Sequence, residues 1–226
     1  MSTRISELDW QQTPIGEISL RRRLEPSLQV EVFEVKLGEE YLMSSLFTVA
    51  EEALATLGLG AHDGPELDVV VGGLGLGYTA RAALDDPRVT SVTVVEYLDA
   101  VISWHVRGLL PVSLVDPRCA FSQGDFFALA AAGELPTCDV LLLDIDHTPR
   151  HVLHPSHAGF YLADGLERMR QCLRPGGVFA LWSDDPPDED FLAVLGSVFA
   201  TADAHVVPFD NPLTGGESSN TVYVAR

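Results

Sequence analysis

Basic residues are scarce in this chain. In 226 residues, 14 Lys and Arg stand against 33 Asp and Glu, a formal net charge of −19. A broad phosphate-backbone footprint needs clustered Lys and Arg, so the composition excludes nucleic acid as the main partner. Long apolar runs are missing too. The longest stretch free of Asp, Glu, Lys and Arg runs from His151 to Ala163, far short of the roughly 20 residues a helix needs to cross a bilayer. The opening MSTRISELDW lacks the apolar core of a signal peptide. Cysteine is sparse: Cys119, Cys138 and Cys172 are widely spaced and imply neither a disulfide framework nor a Cys-based zinc site. There is no internal repeat and no low-complexity tract. These absences predict a soluble, reduced, cytoplasmic protein with no membrane partner. What is present is ordinary globular composition, 46% hydrophobic and 21% charged, which excludes a disordered chain. The length suits one large domain, or one with a small appendage.

The pattern changes once, near residue 45, and divides the chain into an N-terminal β-strand region, 1–45, and an α/β domain, 46–226. Strand-like segments at Glu17–Leu24, Gln29–Leu37 and Glu39–Met43 are separated by Glu25-Pro26-Ser27 and by Gly38. Val30 and Val32 alternate in one phase and Phe33, Val35 and Leu37 in the other, which predicts a bulge near Val32-Phe33. Arg21-Arg22-Arg23 reads as charge defending an edge strand. From Leu46 the periodicity is helical, with Leu46, Val49, Ala53, Leu54 and Leu57 on one side and Glu51-Glu52 on the other. Strands at Leu67–Val71, Ser91–Glu96, Arg118–Ser122, Val140–Asp144 and Val178–Trp182 then alternate with helices. The helices are expected at Tyr78–Leu84, Asp99 to about Leu110, Phe126–Ala132, His157–Leu173 and Asp188–Ala200. A closing strand pair falls near Ala204–Val207 and Thr221–Ala225. Such alternation implies a mostly parallel sheet with helices on both faces, which binds its ligand beyond the C-terminal strand ends at the switch in strand order.

Every chemistry-bearing motif falls at such an end. Val69-Val70-Val71-Gly72-Gly73-Leu74-Gly75-Leu76-Gly77 carries a buried strand into a glycine turn and then a helix. The turn lets backbone approach a ligand, and the helix start offers unpaired N–H groups. Gly73-x-Gly75-x-Gly77 is the loop type of S-adenosylmethionine (SAM) binders, while Gly75-x-Gly77-x-x-Ala80 also satisfies the dinucleotide fingerprint. Glu96 closes the next strand roughly twenty residues after Gly75, where a carboxylate accepts ribose hydroxyls in either kind of site. Gly124-Asp125-Phe126 is placed to bond an adenine amino group with Phe126 against the ring, although Asp125 also suits a helix cap.

Asp144 ends a strand of three leucines and Asp146 lies two residues on. Two carboxylates there can bind an amine or act as base; N-capping and loop hydrogen bonding explain Asp146 more easily than Asp144. A His-rich loop follows, with His147, His151, His154 and His157. Imidazole suits zinc, copper and nickel, but Pro149 and Pro155 interrupt any helix that would align these rings. A lid over the substrate pocket, with charge varying near physiological pH, is the better reading.

The order of these motifs resembles the class I SAM-dependent methyltransferase fold, and within it the spermidine synthase-like (polyamine aminopropyltransferase-like) group. The likeness rests on Val70-Val71-Gly72-Gly73, Val94-Val95-Glu96, Gly124-Asp125, Asp139–Asp144, Phe160-Tyr161, Leu173-Arg174-Pro175-Gly176-Gly177 and the closing Asn220–Ala225. It implies a Rossmann-like, seven-stranded, mostly parallel sheet with helices on both faces and a small N-terminal β-hairpin region. By resemblance, Gly72, Gly73, Gly75 and Gly77 line the nucleoside site, Glu96 with Tyr97 beside it meets the ribose, and Asp125 with Phe126 meets the adenine. Asp144, which also borders the cofactor, matches the family's catalytic strand-end aspartate, with Asp146 and His147 secondary.

Departures from the family bear on the reaction. Aminopropyltransferases carry G-G-G-D-G-G, whose Asp faces the amine of decarboxylated SAM; here Gly75 takes that place, leaving room for a donor that keeps its carboxylate. The D-S-S-D-P loop reads Asp144-Ile145-Asp146-His147-Thr148-Pro149, one residue longer. The gating helix Y-[QH]-E has no clear match in Leu46–Glu51. The expectation is a SAM-dependent transferase acting on a small molecule, using SAM or decarboxylated SAM as co-substrate, with methyl transfer slightly favoured and aminopropyl transfer the alternative. Transfer of the donor's aminocarboxypropyl arm, an NAD(P)-dependent oxidoreductase and a non-catalytic SAM-binding protein stay open. So does assembly: the N-terminal strands either pair between subunits of a homodimer or fold back on the domain.

Overall fold

The computed structural model describes residues 5–226; the first four positions of the expected 1–45 region lie outside the described residues. Four antiparallel strands come first: β1 (Ile5–Thr13), β2 (Gly16–Glu25), β3 (Val30–Leu37) and β4 (Glu40–Ser44), paired in that order. The alternation of β1 is interrupted by a register shift between Glu7 and Asp9, and that irregularity hid the strand from the sequence pattern. β2 lies between β1 and β3 rather than at an edge. The arginines are therefore cross-strand partners and not edge defence, with Arg23 Nε donating to Glu34 at 2.6 Å. The expected bulge at Val32-Phe33 is also absent from the β2–β3 register, which is continuous. The shift falls between Val35 and Lys36, against β4. Both faces of β3 are covered there, Glu34 and Lys36 being buried beside Val35, so its hydrophobic phase was a poor guide to register.

Helix α1 (Val49–Gly60) buries Ala50, Leu54, Ala55, Gly58 and Leu59. Val49, expected on the buried side, is exposed. The α/β run follows as β5 (Leu67–Gly72), α2 (Tyr78–Asp85), β6 (Val89–Glu96), α3 (Asp99–Val106), β7 (Cys119–Gln123), α4 (Phe126–Ala132) and β8 (Cys138–Leu143). The expected single helix 157–173 is instead a 3-10 turn, Pro155–Tyr161, followed by α5 (Ala163–Arg170). The close approach of Gly165 to the Gly159 and Phe160 carbonyls marks the corner between them. The chain ends with β9 (Leu173–Ser183), α6 (Glu189–Val198), β10 (Ala202–Asn211) and β11 (Gly216–Ala225). Arg174-Pro175-Gly176-Gly177 loops out within β9, because Leu173 pairs with Cys138 and Val178 already with Val140.

The second sheet has the order β10-β11-β9-β8-β5-β6-β7. β5 to β9 pair in parallel, and β11 lies antiparallel to both β9 and β10. Its central strands are buried on both faces. Val69, Val71, Val140 and Leu142 join one core with α1, α2 and α3, while Val70, Leu141 and Leu143 join another under α4, α5 and α6. Ile18, Leu20 and Val35 of the N-terminal sheet enter the first core, and Trp104 Nε1 of α3 donates to Asp9 of β1 at 2.8 Å. Cys138 and Cys172, distant in sequence, are neighbours: the Cys138 N–H donates to the Cys172 carbonyl at 2.9 Å, and both remain free thiols. Among the described residues, no helix is long and apolar enough to cross a membrane.

Candidate active site

The strand order reverses between β5 and β8, and the C-terminal ends of both open onto a cavity of about 500 Å³. That volume lies within the range of small-molecule sites. The glycine loop after β5 forms its floor. Gly73, at φ +92°, has no room for a side chain, because a Cβ there would lie 2.2 Å from the Asp144 carbonyl oxygen. The loop and the end of β8 are in mutual contact, with the Asp144 N–H donating to Gly72 O at 2.8 Å. Gly72 and Gly77 face elsewhere: their Cβ positions meet Phe126 and Leu143, and His105, respectively. They shape the loop, and neither lines the larger cavity.

Glu96 is buried at the end of β6. Its Oε2 accepts from Leu74 N at 3.0 Å and its Oε1 from Leu98 N at 2.7 Å. Burial raises its pKa, against the opposing pull of these backbone donors. A carboxylate has about four lone-pair sites, so each oxygen keeps capacity for a ribose hydroxyl. Tyr97 stands exposed on the rim. Asp125 borders the cavity and caps α4 through Ala128 N at 3.1 Å. Phe126 borders it too, but its ring is buried and packs edge-on against Phe127 and Phe160.

Asp144 lines the cavity as well. It accepts from the Thr79 hydroxyl at 2.7 Å, and burial pushes its pKa up to about 6. Beside it stands Glu51, from the first turn of α1, raised to about 8 by burial first and the Asp144 charge second. Two neighbouring carboxylates in a poorly hydrated place cannot both ionise easily, so near neutral pH the pair holds one proton. Sequence reading put Glu51 on the polar side of α1. The available signal was its spacing from Leu54, Ala55 and Gly58, which are i+3, i+4 and i+7 on one helical face. Gly58 lets the helix lie close on β8, since a Cβ there would meet Leu142 Cδ2 at 2.6 Å.

Glu51 and Asp144 line a second, much smaller recess of about 10 Å³, which shares Met43, Leu74 and Asp144 with the main cavity. The room expected over Gly75 is taken by Met43, whose Cε and Sδ lie 2.1 and 2.6 Å from where a Gly75 Cβ would stand. The steric case for a carboxylate-bearing donor therefore fails in this conformation.

The remaining acid and the histidines form a wall. Asp146 is 1% exposed and does not border the cavity. Its carboxylate accepts from Leu153 N at 2.7 Å, the Tyr161 hydroxyl at 2.8 Å and His157 Nδ1 at 2.9 Å. Asp146 thus ties Leu153, His157 and Tyr161 of the following segment to the end of β8. His157 stacks on Phe127 at 3.9 Å between centroids. His147, His154 and His157 border the cavity, and His147 Nε2 lies 3.1 Å from Glu40 Oε1 of β4. No group of three or more His, Cys, Asp or Glu among the described residues could hold a metal ion.

No family model matches the chain. Solved structures do. Spermidine synthase from Thermotoga maritima superposes with a TM-score of 0.73 at 18% identity, over 97% of this chain and 72% of that one. A probable spermidine synthase from Corynebacterium glutamicum gives 0.66 at 16% identity, over 96% and 79%. Human methyltransferase-like protein 13, in complex with SAH, gives 0.56 at 20% identity, over 79% of each chain. The fold is thus that of class I methyltransferases. The match to the spermidine synthases extends over nearly the whole chain, the N-terminal antiparallel sheet included, whereas that to the methyltransferase-like protein covers 79%.

Proposed function

We propose that this chain is a transferase that moves an alkyl group from a SAM-type sulfonium nucleoside to a small amine, with aminopropyl transfer from decarboxylated SAM the leading reaction. The observation that carries this reading is the Glu51–Asp144 pair beside the donor-sized cavity. A half-protonated carboxylate pair attracts an ammonium group and can take its proton, and only the neutral amine is a nucleophile. In the reaction, the amine nitrogen forms a bond to the carbon next to sulfur. The carbon–sulfur bond breaks, its electron pair stays on sulfur as a neutral thioether, and the amine proton passes to Asp144. The protein contributes mainly position and exclusion of water. Glu96 would hold the ribose, Asp125 the adenine edge, and the backbone of Gly73 and Gly75 the donor's flank. The spermidine synthases among the structural neighbours, one of them in complex with the transition state analogue AdoDATO, support aminopropyl over methyl transfer.

The test is incubation with an aliphatic diamine and either decarboxylated SAM or SAM, with products read by mass spectrometry. Methylthioadenosine and an aminopropylated amine, formed only from decarboxylated SAM, are expected. S-adenosylhomocysteine and a methylated amine would establish methyl transfer instead. Donor binding without product from any amine would make the protein a non-catalytic binder.

A further inference from the structure

Met43 occupies an odd position for a hydrophobic residue. It is only partly buried, yet it borders both the 500 Å³ cavity and the small recess holding Glu51 and Asp144. Its thioether sulfur accepts from Leu76 N at 3.0 Å, and its methyl fills the notch over Gly75. The recess behind it, at about 10 Å³, holds one water at most. No amine fits between Glu51 and Asp144 while Met43 is in place. Methionine is unbranched and has three rotatable bonds, so it is well suited to vacate such a position. The Leu76 N–H then loses a weak acceptor only.

We propose that Met43 is the gate between the donor cavity and the acceptor recess, and that its side chain must leave the Gly75 notch before an amine held at Asp144 can seat between it and Glu51. The proposal rests on the transfer reading above and extends it: Met43 determines how wide an acceptor the site admits. A smaller residue opens the recess permanently. A stiffer one of similar bulk holds it shut.

The chain has three methionines, so methyl-13C methionine labelling yields a spectrum that Met43→Leu assigns directly. The protein is saturated with methylthioadenosine and titrated with 1,4-diaminobutane. The Met43 methyl resonance is expected to move with the amine, while that of the fully buried Met169 stays in place. In steady-state kinetics, Met43→Ala is expected to lower the acceptor KM at least threefold and to admit bulkier amines, with the donor Kd unchanged. Met43→Leu is expected to raise the acceptor KM. An unmoved Met43 resonance in protein that binds both ligands overturns the gate and leaves the transfer reading standing. So does an equal weakening of donor and acceptor by Met43→Ala, the mark of a plain cavity wall. If neither ligand binds, the transfer reading fails and the gate fails with it.

Discussion

The Thr79 hydroxyl donates to Asp144 Oδ2 at 2.7 Å, joining the first turn of α2 to the end of β8. That bond favours the ionised carboxylate and opposes the burial that disfavours it. Thr79→Val keeps the shape and removes the bond, so Asp144 becomes harder to ionise. The acidic limb of the pH profile of kcat/KM for the acceptor is therefore expected to move to higher pH. A limb that stays put would mean that Asp144 is not the titrating base.

Glu51 carries a stability prediction whose sign follows from its raised pKa. In the unfolded chain it ionises near 4.5, in the folded one near 8, so folding stability is lost as pH rises through that window. Glu51→Gln removes the loss. At pH 8.5 the variant is expected to melt several degrees higher than the parent. At pH 4, where the group is protonated in both states, the two should melt together. Thermal scans at the two pH values provide the check.

Asp146 satisfies three donors from one buried carboxylate. Replacing it with Ala leaves the Tyr161 hydroxyl, His157 Nδ1 and Leu153 N–H without that acceptor. The expected cost is about 3 kcal/mol, a fall in Tm of roughly 6–12 °C. Below its melting range the variant should keep a near-parental kcat with a weakened donor Kd. Loss of kcat by two orders of magnitude with parental stability would return Asp146 to the catalytic group.

Two glycines with positive φ differ in what surrounds them. At Gly73 a methyl group would strike the Asp144 carbonyl, whereas at Gly176 nothing lies within 4 Å. Gly176→Ala should therefore cost only backbone strain, about 1–2 kcal/mol. Gly73→Ala should cost more than about 4 kcal/mol or yield no soluble protein. Denaturant titration separates them.

Glu96 accepts one backbone N–H at each oxygen, and an amide can do so at only one. Glu96→Gln is expected to disturb the glycine loop and to weaken methylthioadenosine binding about tenfold or more by calorimetry, an amount worth roughly 1.4 kcal/mol. NAD titrated in parallel distinguishes the dinucleotide alternative, which would show NAD bound and the sulfur nucleosides not.

Much of this molecule was legible as a string of residues. Val69-Val70-Val71 before the glycines, Val94-Val95-Glu96 and Leu141-Leu142-Leu143-Asp144 each announce a doubly buried parallel strand ending in a functional group. In each, burial on both faces makes the apolar run continuous and solvent begins where the strand stops. The helix Phe126–Ala132 was readable to the residue, because its aspartate cap and its glycine stop are local signals. Local signals do not report on neighbours brought from far away. Arg21-Arg22-Arg23 looked like edge defence because a strand's place in its sheet depends on which other strands flank it. Loop hydrogen bonding was the easier reading of Asp146 from the start, but its three donors, 7 to 15 positions further along, could not be named from the string. Glu51 comes beside Asp144 only because α1 packs on β8 and α2, and Met43 fills the space over Gly75 only because β4 reaches the glycine loop. The sequence by itself determined the layered α/β architecture and the strand-end residues, through periodicity and glycine stereochemistry. Only the tertiary structure decided which carboxylates stand together and which side chain covers Gly75, because both are matters of distance across the fold.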